Sequence, residues 1–288
     1  MNPAPAGWTT LVEPESLCGH LGSHQLRIFD ARFSLNDHMA GNTSWRASHV
    51  PGAQYAHLDH DLSGPHRPGA GRHPWPDADA FCDWLGRCGV TPGTQVVVYD
   101  AGDGAFAARL WWLLRVLGHE HVAVLDGGWA RWEASGLPTT TDVPAVAPTE
   151  YRGAFDDARL LDADAVPARL IQGDLLVDAR AAARYRGEIE PIDRVAGHVP
   201  GAVNRPYAAN LVDGRFKPAS RLAEEFAALL GGRDPQRLIA MCGSGVTACH
   251  HLLAMEHAGL PGARLFTGSW SGWIESAARP IAKGNAPP

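Results

Sequence analysis

The chain is 288 residues long and carries 25 basic residues (Lys and Arg) against 31 acidic ones, a formal net charge of −6. That length favours two domains, and that charge excludes the basic field a nucleic acid or anionic membrane surface would require. Hydrophobic residues at 45% and charged residues at 19% suit a globular chain with a large core, while 32 Gly and 22 Pro imply many turns without a collagen-like period.

In chain order, Met1-Asn2-Pro3-Ala4-Pro5 has neither a cationic nor an apolar segment, so no signal peptide is expected and the chain is read as cytoplasmic. Short apolar runs predict strands at 28–29, 53–55, 96–99 and 122–125. The most apolar helical stretch, 106–117, is interrupted by Arg109 and Arg115 and is too short for a bilayer core of about 30 Å, so no membrane partner is expected. Residues 139–155, with Pro144 and Pro148, lack apolar periodicity and read as a linker. Beyond it, strands are predicted at 175–177, 202–204, 238–241 and 264–266, with helices over 220–230 and 247–257. Near-continuously apolar strands alternating with helices predict an α/β fold with a mainly parallel sheet covered on both faces.

The chain is written twice. Phe29-Asp30-Ala31-Arg32 is echoed by Val177-Asp178-Ala179-Arg180, and His49-Val50-Pro51-Gly52-Ala53 recurs unchanged as His198-Val199-Pro200-Gly201-Ala202. Trp129-x-x-Trp132 likewise corresponds to Trp270-x-x-Trp273, in the same order. Two tandem domains follow, 1–145 and 155–288.

Five cysteines, an odd number with no C-x-x-C spacing, argue against a disulfide framework and against structural zinc, so reduced thiols and no metal are expected. Cys242 stands apart. Cys242-Gly243-Ser244-Gly245-Val246-Thr247 joins a predicted strand to a predicted helix, where glycines let the backbone turn its N–H groups inward. Those donors and the helix N-terminus favour an anion, so the thiol is expected as a nucleophilic thiolate open to solvent. A buried cysteine that merely ends a strand is the plainer alternative. The first copy has Asp100 at the equivalent place, so the fold does not demand a thiol there. A cysteine phosphatase would need C-x5-R, and Ala248 stands where that arginine belongs.

These features together resemble the two-domain rhodanese-type sulfurtransferases over nearly the whole chain. The loop is similar to that of 3-mercaptopyruvate sulfurtransferases; thiosulfate-preferring members carry Arg and Lys where this chain has Gly243 and Ser244. The resemblance implies two rhodanese-like domains, the first silent because Asp100 replaces the cysteine. It implies that Cys242 takes sulfur from 3-mercaptopyruvate, releases pyruvate, and passes sulfur from a persulfide to cyanide or a thiol. A thioredoxin-like reductant is an implied partner, thiosulfate an alternative donor, and no cofactor is implied. Loop amides of Gly243, Gly245, Val246 and Thr247 would hold the anion, with Ser244 relaying a proton. Arg184 matches the arginine that grips the donor carboxylate, and Arg194 is the candidate second clamp, though in a different register. Asp59 and His73 match first-domain positions of a catalytic site between the domains.

Other residues are read as structural. Asp30 with Arg32 and Asp178 with Arg180 recur in both copies and suit ion pairs; His49 and His198 suit turns; the paired tryptophans suit packing. Cys249 is read as packed, and His250 and His251 as pointing to different helix faces. Replacing Gly243 and Ser244 by Arg and Lys is expected to raise thiosulfate use. A persulfide carrier with little turnover is the alternative from another functional class.

Overall fold

The computed structural model describes residues 7–285, so the Met1–Pro5 stretch lies outside the described residues. Two compact units emerge, and neither is continuous in sequence. The first gathers the chain up to Gly64, Pro76–Asp156 and Asp213–Phe216; the second gathers Pro65–Trp75, Asp157–Val212 and the chain from Lys217 onward.

The first unit is built on β1 (Leu11–Val12), β2 (Leu26–Asp30), β3 (Ala53–Tyr55), β4 (Gln95–Tyr99) and β5 (Val122–Leu125), in the sheet order β1-β5-β4-β2-β3. The second uses β6 (Leu160–Leu161), β7 (Leu175–Asp178) and β8 (Val203–Asn204). After two short strands outside the sheet, β9 (Leu211–Val212) and β10 (Arg215–Phe216), it adds β11 (Leu238–Met241) and β12 (Arg264–Phe266), in the order β6-β12-β11-β7-β8. Every pair within the two sheets is parallel, and the two orders are the same permutation. This is the α/β architecture expected from the strand composition. Central strands β4 and β11 are buried at every position, because helices cover both faces and water rewards no alternation.

Local chemistry fixes the helices. Asp77 caps Ala78–Arg87 by accepting the N–H groups of Asp79 and Ala80. Gly231, at φ +57°, ends Ala219–Leu230 in the left-handed conformation that a Cβ would strain. Helices Ala107–Val116 and Ala248–His257 follow the carboxyl ends of β4 and β11 and are almost wholly buried. No described helix is long and apolar enough to cross a membrane.

The repeated motifs make one clasp twice. The Arg32 guanidinium donates to both Asp30 oxygens and to the Ser48 carbonyl, and lies 4.6 Å from the Trp129 ring. Arg180 does the same with Asp178, the Gly197 carbonyl and Trp270, at 4.9 Å. His49 and His198 each hydrogen-bond a backbone carbonyl, of Trp45 and Tyr185. These residues are structural, and their recurrence in the copy without a cysteine is the reason.

Residues 141–156 form no regular element, yet they are not a loose tether. Thr149 N–H donates to the Gly86 carbonyl, Tyr151 is buried, and Phe155 stacks on Phe81. Its anchors are too widely spaced to register as a period.

Candidate active site

Cys242 follows β11 directly, and Cys242 to Val246 are all buried. The second copy's last strand and helix pin this loop. Cys242 N–H donates to Ser269 Oγ (3.1 Å), whose hydroxyl donates to the Phe266 carbonyl, and the Trp270 and Ser271 amides donate to the carbonyls of Cys242 and Gly243. Ser269 takes a left-handed φ of +50° to do this, a strain the fold retains beside the loop. Gly245, at φ +76°, supplies the turn, and Cys249 packs beneath it with Sγ 3.3 Å from its carbonyl. Contrary to the expectation of an open thiol, Cys242 is only 1% exposed.

The first copy displays what this loop geometry does. Asp100 occupies the equivalent place after β4, and its carboxylate accepts four loop amides. Oδ1 receives Gly102 and Gly104, both at 3.0 Å, and Oδ2 receives Phe106 and Ala107 at 2.9 and 3.1 Å. Burial, reinforced by Asp103, pushes this carboxyl above its ordinary range, and the amide bonds oppose that shift. Gly104, at φ +77°, sits three residues before its helix, as Gly245 does before its own. The turn is therefore an anion cradle, filled by a carboxylate in one copy and headed by a thiol in the other.

Ser244 and His73 meet in the second unit, with Ser244 Oγ 2.7 Å from His73 Nδ1 and both residues buried. Although it precedes most of the first copy's helices in sequence, His73 belongs to Pro65–Trp75, which packs with the second unit. That segment is fastened by its backbone. Arg72 N–H donates to Ser271 Oγ, and the Gly69 and Gly71 amides donate to the Glu275 carboxylate. A Cβ on Gly71 would stand 2.5 Å from the Gly268 carbonyl and at φ +77°, so glycine is required there.

Arg184 reaches the loop, with its Nη2 3.7 Å from where a Gly243 Cβ would stand. It is paired with Glu190 (2.7 Å) and Asp193 (3.0 Å). Burial pushes the Glu190 carboxyl up, but hydrogen bonds from Arg184 and from the Asp193 and Ile192 amides outweigh this and hold it below its ordinary value. Arg194 points elsewhere, donating to the Ile274 carbonyl. Arg72, which sequence reasoning passed over, stands against Gly243 and pairs with Asp193 at 2.6 Å. Its one signal was its place beside His73 in a glycine-turned segment. Val246 is buried and Thr247 half-buried at the start of the helix. Asp59 lies in the first unit, 2.7 Å from His38 Nδ1, with its own N–H donating to His57.

His250 and His251 depart from the expectation that neighbours on a helix diverge. Both rings turn to Asn210, whose amide nitrogen is 2.9 Å from each Nδ1, so one buried amide gathers them. Among the described residues, no group of His, Cys, Asp and Glu could hold a metal ion, and all five cysteines are free thiols.

Comparison with known proteins adds to this geometry. The model of the rhodanese-like domain matches residues 13–135 and again 162–276. A probable 3-mercaptopyruvate sulfurtransferase of Pseudomonas aeruginosa is 47% identical over 279 residues, 96% of this chain and 98% of the relative. A putative thiosulfate sulfurtransferase, SseB, of Mycobacterium tuberculosis is 35% identical, covering 96% of this chain and 98% of its own. The crystal structure of SseA from Escherichia coli, a 3-mercaptopyruvate sulfurtransferase, superposes with a TM-score of 0.78 at 30% identity, over 92% of this chain and all of that one.

Proposed function

The chain belongs to the rhodanese-like domain family, and on that premise we propose that it moves sulfane sulfur from 3-mercaptopyruvate, through a persulfide on Cys242, to cyanide or a thiol. The observation that carries this reading is the duplicated cradle, in which four amides hold the Asp100 carboxylate where the second copy offers sulfur.

The Cys242 thiolate attacks the donor's sulfur and forms an S–S bond as the carbon–sulfur bond breaks. The bonding pair leaves on carbon as the pyruvate enolate, which takes up the proton the donor thiol releases, and Cys242 keeps the outer sulfur as a persulfide anion. Amides from Gly243 to Thr247 stabilise that anion. The Ser244 hydroxyl, hydrogen-bonded to His73 at 2.7 Å, relays the proton to the enolate. Cyanide or a thiolate then attacks the outer sulfur and restores the Cys242 thiolate. Asp59 enters as a relay carboxylate on the family resemblance alone. A thioredoxin-like protein in the cytoplasm is the acceptor we propose, and the cycle draws on no cofactor.

Thiosulfate stays as a second reading, because two guanidinium groups, of Arg72 and Arg184, face Gly243 and would suit a dianion. Purified protein given each donor with cyanide, reading thiocyanate, tests both. Turnover of 3-mercaptopyruvate that Cys242→Ser abolishes is the expected result. A higher kcat/KM with thiosulfate selects the second reading, and no turnover with either donor leaves a persulfide carrier.

A further inference from the structure

Three charged side chains converge on the bare face of Gly243, the neighbour of the sulfur-bearing residue. A Cβ there would lie 3.3 Å from Arg72 Nη2, 3.7 Å from Arg184 Nη2 and 3.7 Å from Asp193 Oδ2. Asp193 bridges the two cations, its Oδ1 accepting from Arg72 and its Oδ2 from Arg184. A single carboxylate, with a side chain 3% exposed, thus sits between two guanidinium groups beside the reactive sulfur.

Arg184 is anchored without it, donating through Nε and Nη2 to Glu190, whereas the Arg72 guanidinium donates to Asp193 and only the backbone of that residue is tied separately, its N–H to Ser271 Oγ. Arg72 Nε is buried without a hydrogen-bond partner, a donor the closed arrangement leaves unused. Leaving such a donor unmet is costly, and a further acceptor brought to Arg72 would relieve that cost. Asp193 itself lies on an irregular segment, whose Ile189 and Ile192 are exposed.

We propose that Arg72 is the second guanidinium holding the donor's carboxylate, and that the Asp193 carboxylate keeps that place until the donor arrives. The inference rests on the reading of Cys242 as the sulfur carrier. A donor whose carboxylate stands a few bonds from its sulfur can put the first between Arg72 and Arg184 while offering the second to Cys242. Exchanging one carboxylate for another keeps both cations paired, so the buried charges are not left uncompensated. A donor without an anionic group has nothing to exchange and leaves Asp193 over the loop. Asp193 therefore acts as a selectivity gate, which accounts for a closed site around a thiol that must react.

The test uses the full chain and two alkylating agents with the same leaving group, iodoacetate and iodoacetamide, that differ in their carboxylate. The rate of each at Cys242 is read by mass spectrometry in wild type, Arg72→Gln, Arg72→Lys and Asp193→Asn. The iodoacetate-to-iodoacetamide ratio is expected to fall about 10-fold or more in Arg72→Gln, recover in part in Arg72→Lys, and rise severalfold in Asp193→Asn. KM for 3-mercaptopyruvate and competitive inhibition by pyruvate follow the same order, with the change falling on KM more than on kcat. A ratio unmoved by Arg72→Gln overturns the clamp, and one lowered by Asp193→Asn makes that residue a support rather than a gate. Alkylation needs no turnover: a wild type inactive with every donor defeats the sulfurtransferase reading separately, whatever the ratio.

Discussion

Removing the Asp100 carboxylate probes the cradle in the copy where it is already filled. Four amide donors lie 2.9 to 3.1 Å from its two oxygens, and the residue is 1% exposed. Hydrogen bonds to a charged group contribute about 1.5–3 kcal/mol each, but the cost of burying the carboxylate cancels much of that gain. Asp100→Asn keeps the shape and turns one acceptor into a donor aimed at two amides, which should cost about 2 kcal/mol. Asp100→Ala strands all four amides and should cost about 3–5 kcal/mol, or a fall of about 10 °C in Tm for a unit of this size. Urea unfolding at neutral pH, followed by tryptophan fluorescence and by calorimetry, measures both variants, with Cys242→Ser as the reference. A cost below about 1 kcal/mol for Asp100→Ala would mean that the amides do not depend on an anion. The Asp100 turn would then be no guide to how the Cys242 turn treats an anion.

Ser244→Ala and His73→Asn should each lower kcat with 3-mercaptopyruvate by about 10²–10³-fold, and the double variant should be little worse, because the two act as one relay; additive losses would separate them. Gly243→Arg, expected from sequence to favour thiosulfate when paired with Ser244→Lys, meets the Arg72 and Arg184 guanidinium groups instead. A third cation about 4–5 Å from two others costs several kcal/mol at an effective dielectric near 20, of which the single Asp193 carboxylate on the same face offsets about half, so turnover should fall with both donors. A raised thiosulfate kcat/KM in the double variant would restore the earlier expectation. Burial, with Arg205 beside it, holds the His251 imidazole down at about 3, against about 6.5 in an unfolded chain. Between those values the unfolded chain takes up a proton that the fold refuses. Stability is therefore full above pH 6.5 and falls on acidification, by up to about 1.4 kcal/mol per pH unit. His251→Gln should flatten that part of the urea-derived stability profile; an unchanged slope would refute the assignment.

What could be read in the sequence tracks how local its physical cause is. Strands at 53–55, 122–125, 238–241 and 264–266 coincide with those observed; the last three are buried at every position, and such parallel strands leave largely apolar runs. The edge strands β1 and β6 escaped notice: two residues each are too few to show a pattern. Cys242 stood out as a candidate through a comparison inside the chain, since duplication set Asp100 at the equivalent place. Arg72, Asp193, Ser269 and Ser271 were not, because their work depends on side chains that meet across many residues of sequence. Arg194 shows the same limit: the family resemblance offered it as a second clamp in a different register, whereas its guanidinium donates to the Ile274 carbonyl and Arg72 stands against Gly243.

The most direct measurement is a single turnover with 3-mercaptopyruvate and no acceptor, following pyruvate and the intact protein mass together. One pyruvate should appear for each chain that gains a sulfur atom, mapped to the peptide bearing Cys242 and removed by cyanide as thiocyanate. Pyruvate released without sulfur on that peptide, or in equal amount from Cys242→Ser, would contradict the account.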